Sequence, residues 1–193
     1  MKIYVVNGFP RSGKTTFESY VKKISCHYCY ILSTIDCIKE LVRPLGWKGA
    51  KEPKDRKMLA ELKKILTEWG DIPMKRLKRD LDLIQLEVDT YRMQSEQVCV
   101  FIDCREPQEI KRICDEFSAK SMLIQRESVK NEEASNEADK NVLDYEYDIV
   151  INNNGNLRDL ALRAIDFVDE EGLYIDHTRP LEINLYGEIR YIG

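Results

Sequence analysis

No apolar run in this 193-residue sequence approaches the roughly 18 residues that a membrane span requires. A strand-like run begins at residue 3, which leaves no room for a signal peptide and sets the expectation of a cytoplasmic protein. Six cysteines are present (Cys26, Cys29, Cys37, Cys99, Cys104 and Cys114), and without a secretory segment they read as reduced thiols. Cys26 and Cys29 have the spacing of a zinc pair, but no second pair follows at ligand spacing, so they read as thiols beside a strand. There is no internal repeat, and no basic strip interleaved with aromatics of the kind that tracks a nucleic acid.

What is present is a chain of 43% hydrophobic and 33% charged residues, long enough to bury a full core as one domain. The net charge of −4 conceals a division. Residues 39–79 carry 13 basic and six acidic side chains, about +7, while the remainder is acidic. That asymmetry asks for an anionic partner, and without a nucleic-acid motif the expected one is a small phosphorylated molecule. Most of these charges are nevertheless expected to be solvated helix faces.

Residues 3–6 are apolar and mostly β-branched, as a buried parallel strand should be. The next stretch, Gly8-Phe-Pro-Arg-Ser-Gly-Lys-Thr15, matches G-x-x-x-x-G-K-[ST] at every fixed position. Successive backbone N–H groups can surround a polyphosphate only where no Cβ intrudes, which is what Gly8 and Gly13 allow. Phe17, Tyr20, Val21 and Ile24 then recur at helical spacing, giving the strand–loop–helix context the motif needs. The candidate nucleotide site is Gly8, Pro10, Arg11, Ser12, Gly13, Lys14, Thr15 and Thr16. Lys14 is expected on the β- and γ-phosphates of ATP and the Thr15 hydroxyl on Mg²⁺.

Residues 28–32 read as a second strand and 36–45 as a helix capped by Ser33 or Thr34. A turn-rich break around residues 44–49 precedes a helix opening at Pro53, with an apolar stripe of Met58, Leu59, Leu62, Ile65, Leu66 and Trp69. A longer helix follows over about 74–95, carrying Leu77, Leu81, Ile84, Leu86 and Val88. These helices make a basic insertion, about 46–95, that suits substrate binding. Residues 98–103 form an apolar third strand ending in Asp103, the candidate second Mg²⁺ contact. Arg105 follows it, at the strand end where ligands collect in open α/β sheets, and Pro107 suits the first position of a helix completed by 109–117. A fourth strand over 119–124 leads to Arg126. Residues 127–143 lose apolar periodicity and read as a surface loop or, from their place beside Arg126, as a lid. A fifth strand (148–152), a turn (153–155) and a helix (157–168) complete a doubly wound parallel sheet. Residues 181–192 alternate around Gly187 as a β-hairpin, which either extends the sheet, packs elsewhere or stands off.

A guanine-reading Asn-Lys-x-Asp is missing, which argues against a GTPase switch. Cys104, not Glu, follows Asp103, so the usual water-polarising group of an ATPase is missing too. Arginines at strand ends, a cationic insertion and a candidate lid answer the demands of phosphoryl transfer, which are charge neutralisation and exclusion of water.

The chain resembles the P-loop kinases that group phage-type deoxynucleoside monophosphate kinases with animal-type phosphomevalonate kinases. The resemblance runs through the P-loop, Ser33 with Ile38-Lys39-Glu40, Gly46-Trp-Lys-Gly, Asp55-Arg-Lys-x-Leu59, Ile102-Asp-Cys-Arg105 with Glu109-Ile, Arg126, and Asp148-Ile-Val-Ile-Asn-x-Asn-Gly155 with Leu160. It implies a P-loop kinase-like three-layer α/β sandwich over residues 1–172, with a five-stranded parallel sheet, the helical insertion and the lid. The C-terminal β-hairpin (173–193) is an appendage without a counterpart from residue 174 onward. The resemblance further implies ATP and Mg²⁺ as cofactors, Lys14, Arg105 and Arg126 as catalytic, and the turn carrying Asn152, Asn154 and Gly155 against the adenine. It also implies a monophosphate acceptor bound by Ser33, Lys39, Arg56 and Arg105, taken from the nucleoside or deoxynucleoside monophosphates or from phosphomevalonate-like metabolites. A non-catalytic ATP switch and a homodimer stay open; neither a nucleic acid nor a membrane is an expected partner.

Overall fold

Five strands of this chain form one parallel sheet in the order β2-β3-β1-β4-β5, with β1 Lys2–Asn7, β2 Tyr28–Ser33, β3 Val98–Asp103, β4 Lys120–Gln125 and β5 Ile149–Asn152. The computed structural model describes residues 1–25, 28–50, 52–94, 97–130, 141–173 and 180–192. The central strand β1 pairs with β3 on one side, Val6 opposite Asp103, and with β4 on the other, Asn7 opposite Leu123. Parallel neighbours must be reached by crossovers: α1 (Lys14–Ile24) lies between β1 and β2, α5 (Pro107–Phe117) between β3 and β4, and the short α6 (Glu127–Lys130) between β4 and β5, while α7 (Leu157–Glu170) follows β5.

Alternation along the strands divides their side chains between two faces. Tyr4, Val6, Phe101, Met122 and Ile124 share a cluster with Phe17, Val21 and Ile24 of α1 and Leu160, Ala164 and Phe167 of α7, all buried. Phe167 ties the layers together: its ring stands edge-on to Tyr4 at 5.0 Å and to Phe17 at 5.4 Å. The intervening residues Val5, Val100, Ile102 and Leu123 are also buried, and α5, packed on β1 and β4, contributes the fully buried Ile110 and Ile113.

Helix α7 starts where it does because Asn156 caps it. The Asn156 side chain accepts from the Arg158 and Asp159 amides at 2.8 and 3.1 Å, and Asp159 Oδ2 accepts from the Asn156 amide at 2.9 Å, a complete capping box. Asn156→Ala is therefore expected to lower stability by about 1 kcal/mol, read as a shift in the urea midpoint at unchanged m-value.

The chain divides into two compact units, residues 1–31 with 93–193, and residues 32–92. The second holds α2 (Asp36–Val42), a 3₁₀ turn (Arg43–Leu45), α3 (Pro53–Gly70) and α4 (Ile72–Thr90). Two helix ends differ from expectation here. Helix α2 ends at Val42 because Pro44 cannot continue it, and its N-cap is Ile35, without a side-chain cap from Ser33 or Thr34. Helix α4 stops at Thr90, soon after its last buried residue, and its buried stripe is Met74, Leu77, Leu81, Ile84 and Val88, with Leu86 62% exposed. Helix α3 has no buried residue at all, and its Ile65 and Trp69 are exposed.

The C-terminal hairpin does not join the five-stranded sheet. Strands β6 (Leu181–Ile183) and β7 (Ile189–Tyr191) pair antiparallel, Glu182 opposite Arg190. Ile189 is buried in the main core, the Tyr191 hydroxyl donates to the Ile24 carbonyl, and a Cβ on Gly187 would lie 2.7 Å from the Leu157 carbonyl carbon. The hairpin is thus packed on α1 and on the start of α7. Among the described residues, Cys29, Cys37, Cys99, Cys104 and Cys114 are free thiols, and no helix is long and apolar enough to cross a membrane. Cys26 lies outside the described residues.

Candidate active site

The loop between β1 and α1 is shaped by positive backbone angles, with φ of 149° at Gly8, 65° at Arg11 and 101° at Gly13. Both glycines are required by space as well as by φ. A Cβ on Gly8 would lie 2.2 Å from the Ile124 carbonyl oxygen, and one on Gly13 would lie 2.4 Å from Asn153 Nδ2. Pro10, Arg11 and Ser12 complete the loop, closed by the Ser12 amide donating to the Phe9 carbonyl at 3.1 Å. Gly13 is the N-cap of α1 and brings no side-chain acceptor to the first turn, where Thr15 and Thr16 lie. A helix N-terminus preceded by such a loop is an anion cradle.

Lys14 Nζ donates to the loop's own carbonyls, Gly8 at 2.6 Å and Phe9 at 3.1 Å. Its ammonium therefore sits over the cradle. Two buried oxygens of this region, Ser12 Oγ and Glu18 Oε1, lack a hydrogen-bond partner among the described residues. Asp103 ends β3 beside Val6. Glu18, one helical turn beyond Lys14, is 1% exposed. Burial pushes its carboxyl well above the usual range, the Asp103 charge adds to that, and Lys14 opposes it.

Asparagines hold the loop in place. Asn7, fully buried, donates from Nδ2 to the Arg105 carbonyl at 3.2 Å and to the Tyr147 hydroxyl at 2.7 Å, while its Oδ1 accepts from the Gly8 amide at 2.8 Å. Asn153 Nδ2 donates to the Ser12 carbonyl at 2.8 Å. Neither residue stands out in the sequence, since Asn7 follows a strand and Asn153 sits in an asparagine run; only their places beside the loop betray them.

The strand order sets the two arginines apart. Arg105 follows β3 and Arg126 follows β4, so they leave the strands on either side of β1, and both are half-buried. Cys104, between Asp103 and Arg105, is buried with its Sγ 3.0 Å from Glu109 Oε2. Asn152 Oδ1 accepts from Gln125 Nε2 at 2.5 Å, and Asn154 Oδ1 from the Glu127 amide at 2.8 Å, so both tie the β5 turn to the end of β4. A Cβ on Gly155 would lie 2.2 Å from Asp159 Oδ2 in the capping box. Of the segment read as a lid, residues 131–140 lie outside the described residues. Its flanks, Val129 and Val142, are buried with Phe9 and Leu123, and Tyr147 donates to the Val142 carbonyl at 2.8 Å.

Ser33, Lys39 and Arg56 belong to the second unit. Ser33 ends β2, Lys39 pairs with Asp36 at 2.8 Å, and Arg56 lies in the first turn of α3, half-buried. Much of the basic charge there is locally paired: Lys54 with Glu52, Lys57 with Glu61, Lys64 with Glu68, and Arg76 with Glu40 and Asp80. Trp47 Nε1 and Asp55 Oδ2 are buried atoms with no hydrogen-bond partner among the described residues.

No family model matches the chain, and no curated protein matches it. Among solved structures it is similar to P-loop small-molecule kinases. Shikimate kinase from Aquifex aeolicus aligns at 17% identity and a TM-score of 0.43, over 90% of this chain and 99% of that one. The APS kinase CysC of Mycobacterium tuberculosis aligns at 12% identity and 0.40, over 87% and 96%. TT1252 from Thermus thermophilus aligns at 18% identity and 0.42, over 88% and 97%. Likenesses this distant determine neither a family nor a substrate.

Proposed function

We propose that this chain is an ATP-dependent phosphotransferase whose acceptor is a nucleoside or deoxynucleoside monophosphate. The observation that carries the reading is the placement of Arg105 and Arg126 after the two strands flanking β1, with the phosphate cradle at the end of β1 itself. Charge developing on a transferred phosphoryl group would then meet cations from both sides of the loop that binds the donor.

In this mechanism the amides of Gly13, Lys14 and Thr15, at the start of α1, hold the polyphosphate, and Lys14 exchanges the Gly8 and Phe9 carbonyls for phosphate oxygens. The Thr15 hydroxyl and Asp103 would hold Mg²⁺, which would supply positive charge to the phosphates. The loop's glycine geometry and its two orphaned buried oxygens fit that load. Residue 104 is a cysteine, so no carboxylate directly after Asp103 activates water, and transfer to an acceptor is favoured over hydrolysis. Asn152, Asn154 and Gly155 border the adenine. Ser33, Lys39 and Arg56 receive the acceptor, and the orphaned Trp47 Nε1 and Asp55 Oδ2 support a polar ligand in that unit.

The test is ADP release from Mg-ATP across nucleoside and deoxynucleoside monophosphates, with phosphomevalonate as a separate arm. Release stimulated at least tenfold by one of the monophosphates is the expected result. Stimulation by phosphomevalonate alone would move the acceptor class, and ATP binding without stimulated release in any arm would leave a non-catalytic switch.

A further inference from the structure

Positions 14, 18, 21 and 25 of α1 and its C-cap follow i, i+4, i+7 and i+11, so Lys14, Glu18, Val21 and Ser25 share one side of the helix. Glu18, Val21 and Ser25 are buried. A carboxylate on that side loses its hydration and needs donors in exchange, yet Oε1 of Glu18 has none among the described residues. The charges acting on it are Asp103, which repels it, and Lys14, which attracts it. Asp103 stands opposite Val6 at the foot of the phosphate loop, and Thr15 lies three residues before Glu18 on α1. A buried acid with an unused acceptor thus lies within electrostatic reach of Asp103, assigned to Mg²⁺, and of Lys14, assigned to phosphate, and one helical turn from Thr15.

Among the described residues no group of three or more His, Cys, Asp or Glu side chains could hold a metal ion unaided. Magnesium does not need one. It keeps several of its waters and is usually held by one or two carboxylates together with the phosphates of its nucleotide. The groups that orient those waters are as much part of the site as the direct ligands.

We propose that Glu18 is a positioning residue for the Mg²⁺ of bound Mg-ATP, its Oε1 accepting a hydrogen bond from a metal-bound water while Asp103 and Thr15 face the ion from β3 and from the first turn of α1. The inference rests on the phosphotransferase reading. It explains why an uncompensated acid is kept inside the helix stripe: the divalent charge offsets the Glu18–Asp103 repulsion at the moment Lys14 turns to the phosphates. It also predicts that the apo protein has no need of the carboxylate, because an apolar residue of similar size would suit the buried position at least as well.

The experiment compares wild type, Glu18→Leu and Glu18→Gln by titration with Mn²⁺ in the presence of ATP, free Mn²⁺ being read by electron paramagnetic resonance. Metal-free ATP affinity in EDTA and the melting temperature of the apo protein are measured alongside. Glu18→Leu is expected to weaken Mn²⁺ binding by roughly 10- to 100-fold. Its metal-free ATP affinity should stay within about twofold of wild type and its apo melting temperature should be equal or higher. Glu18→Gln, which keeps an acceptor oxygen but no charge, should fall between. Both variants binding Mn²⁺ as tightly as wild type would overturn the role of Glu18 while leaving the phosphotransferase reading standing. Equal losses with and without metal would reduce Glu18 to a structural residue and overturn it as well. Wild type that holds no Mn²⁺ with ATP would sink both readings together.

Discussion

Gly8→Ala is expected to abolish measurable ATP binding and to lower the melting temperature. Asn7 is paired beside Leu123, so the chain leaving β1 at Gly8 runs directly against the Ile124 carbonyl of β4. A Cβ there would lie 2.2 Å from that oxygen and 2.8 Å from Ser12 Oγ, in a backbone conformation with φ of 149° that L-residues rarely adopt. The obstacle is main chain of a central strand, which cannot rotate away as a side chain can. Relief must come from the loop, and the loop carries the Gly8 and Phe9 carbonyls that seat Lys14 and the amide that meets Asn7 Oδ1. Strain and clash together are expected to cost roughly 3 kcal/mol or more, about 6–12 °C for a domain of this size. Gly46→Ala is the control: φ there is also positive, 101°, but a Cβ meets nothing within 4 Å. It should lose only about 1–2 kcal/mol and bind ATP normally. Thermal melts and titration with a fluorescent ATP analogue check both. A Gly8→Ala protein with wild-type affinity would mean that the loop is not the nucleotide cradle.

Where backbone chemistry dictates residue type, the sequence was legible. Two glycines five residues apart followed by Lys-Thr admit few alternatives, and the structure finds that neither glycine could carry a side chain without moving its neighbour. Strands rich in Val, Ile and Phe and helices opened by Pro53 and Pro107 are equally local signals, and the five-stranded parallel sheet follows from them. Long-range partners were the opaque part. An asparagine at a strand end looks the same whether it caps a turn or, like Asn7, holds a loop, an arginine backbone and a tyrosine at once. The stripe of α3 has helical period, but periodicity does not say whether anything covers it, and Trp69 is 76% exposed. Gly187 marked a turn without revealing that the turn would be pressed onto Leu157. Glu18 at i+4 from Lys14 resembles an ordinary surface ion pair, and only the fold places it inside.

Arg105→Ala and Arg126→Ala are each expected to reduce kcat by on the order of 10²- to 10³-fold while leaving the Kd for Mg-ATP within about threefold of wild type. The separation follows from the strand order. In the proposed mechanism the donor phosphates are gripped by amides and Lys14 at the start of α1, whereas the arginines follow β3 and β4 on either side of β1 and would meet charge that develops only as the phosphoryl group moves. Two main-chain bonds beside the arginines do not depend on their side chains. The anchor next to Arg105 is its carbonyl, which accepts from Asn7 Nδ2, and the anchor next to Arg126 is its carbonyl, which accepts from the Val129 amide at 3.2 Å; both survive truncation to Ala. Lys14→Ala supplies the contrast, because its ammonium belongs to the cradle itself, and it should lose ATP affinity and turnover together. Steady-state kinetics with the acceptor found in the ADP-release assay, paired with equilibrium binding of the ATP analogue, read the two quantities separately. Full activity in both arginine variants would remove them from the transition state, and an equal loss of binding and turnover would make them part of the donor site instead.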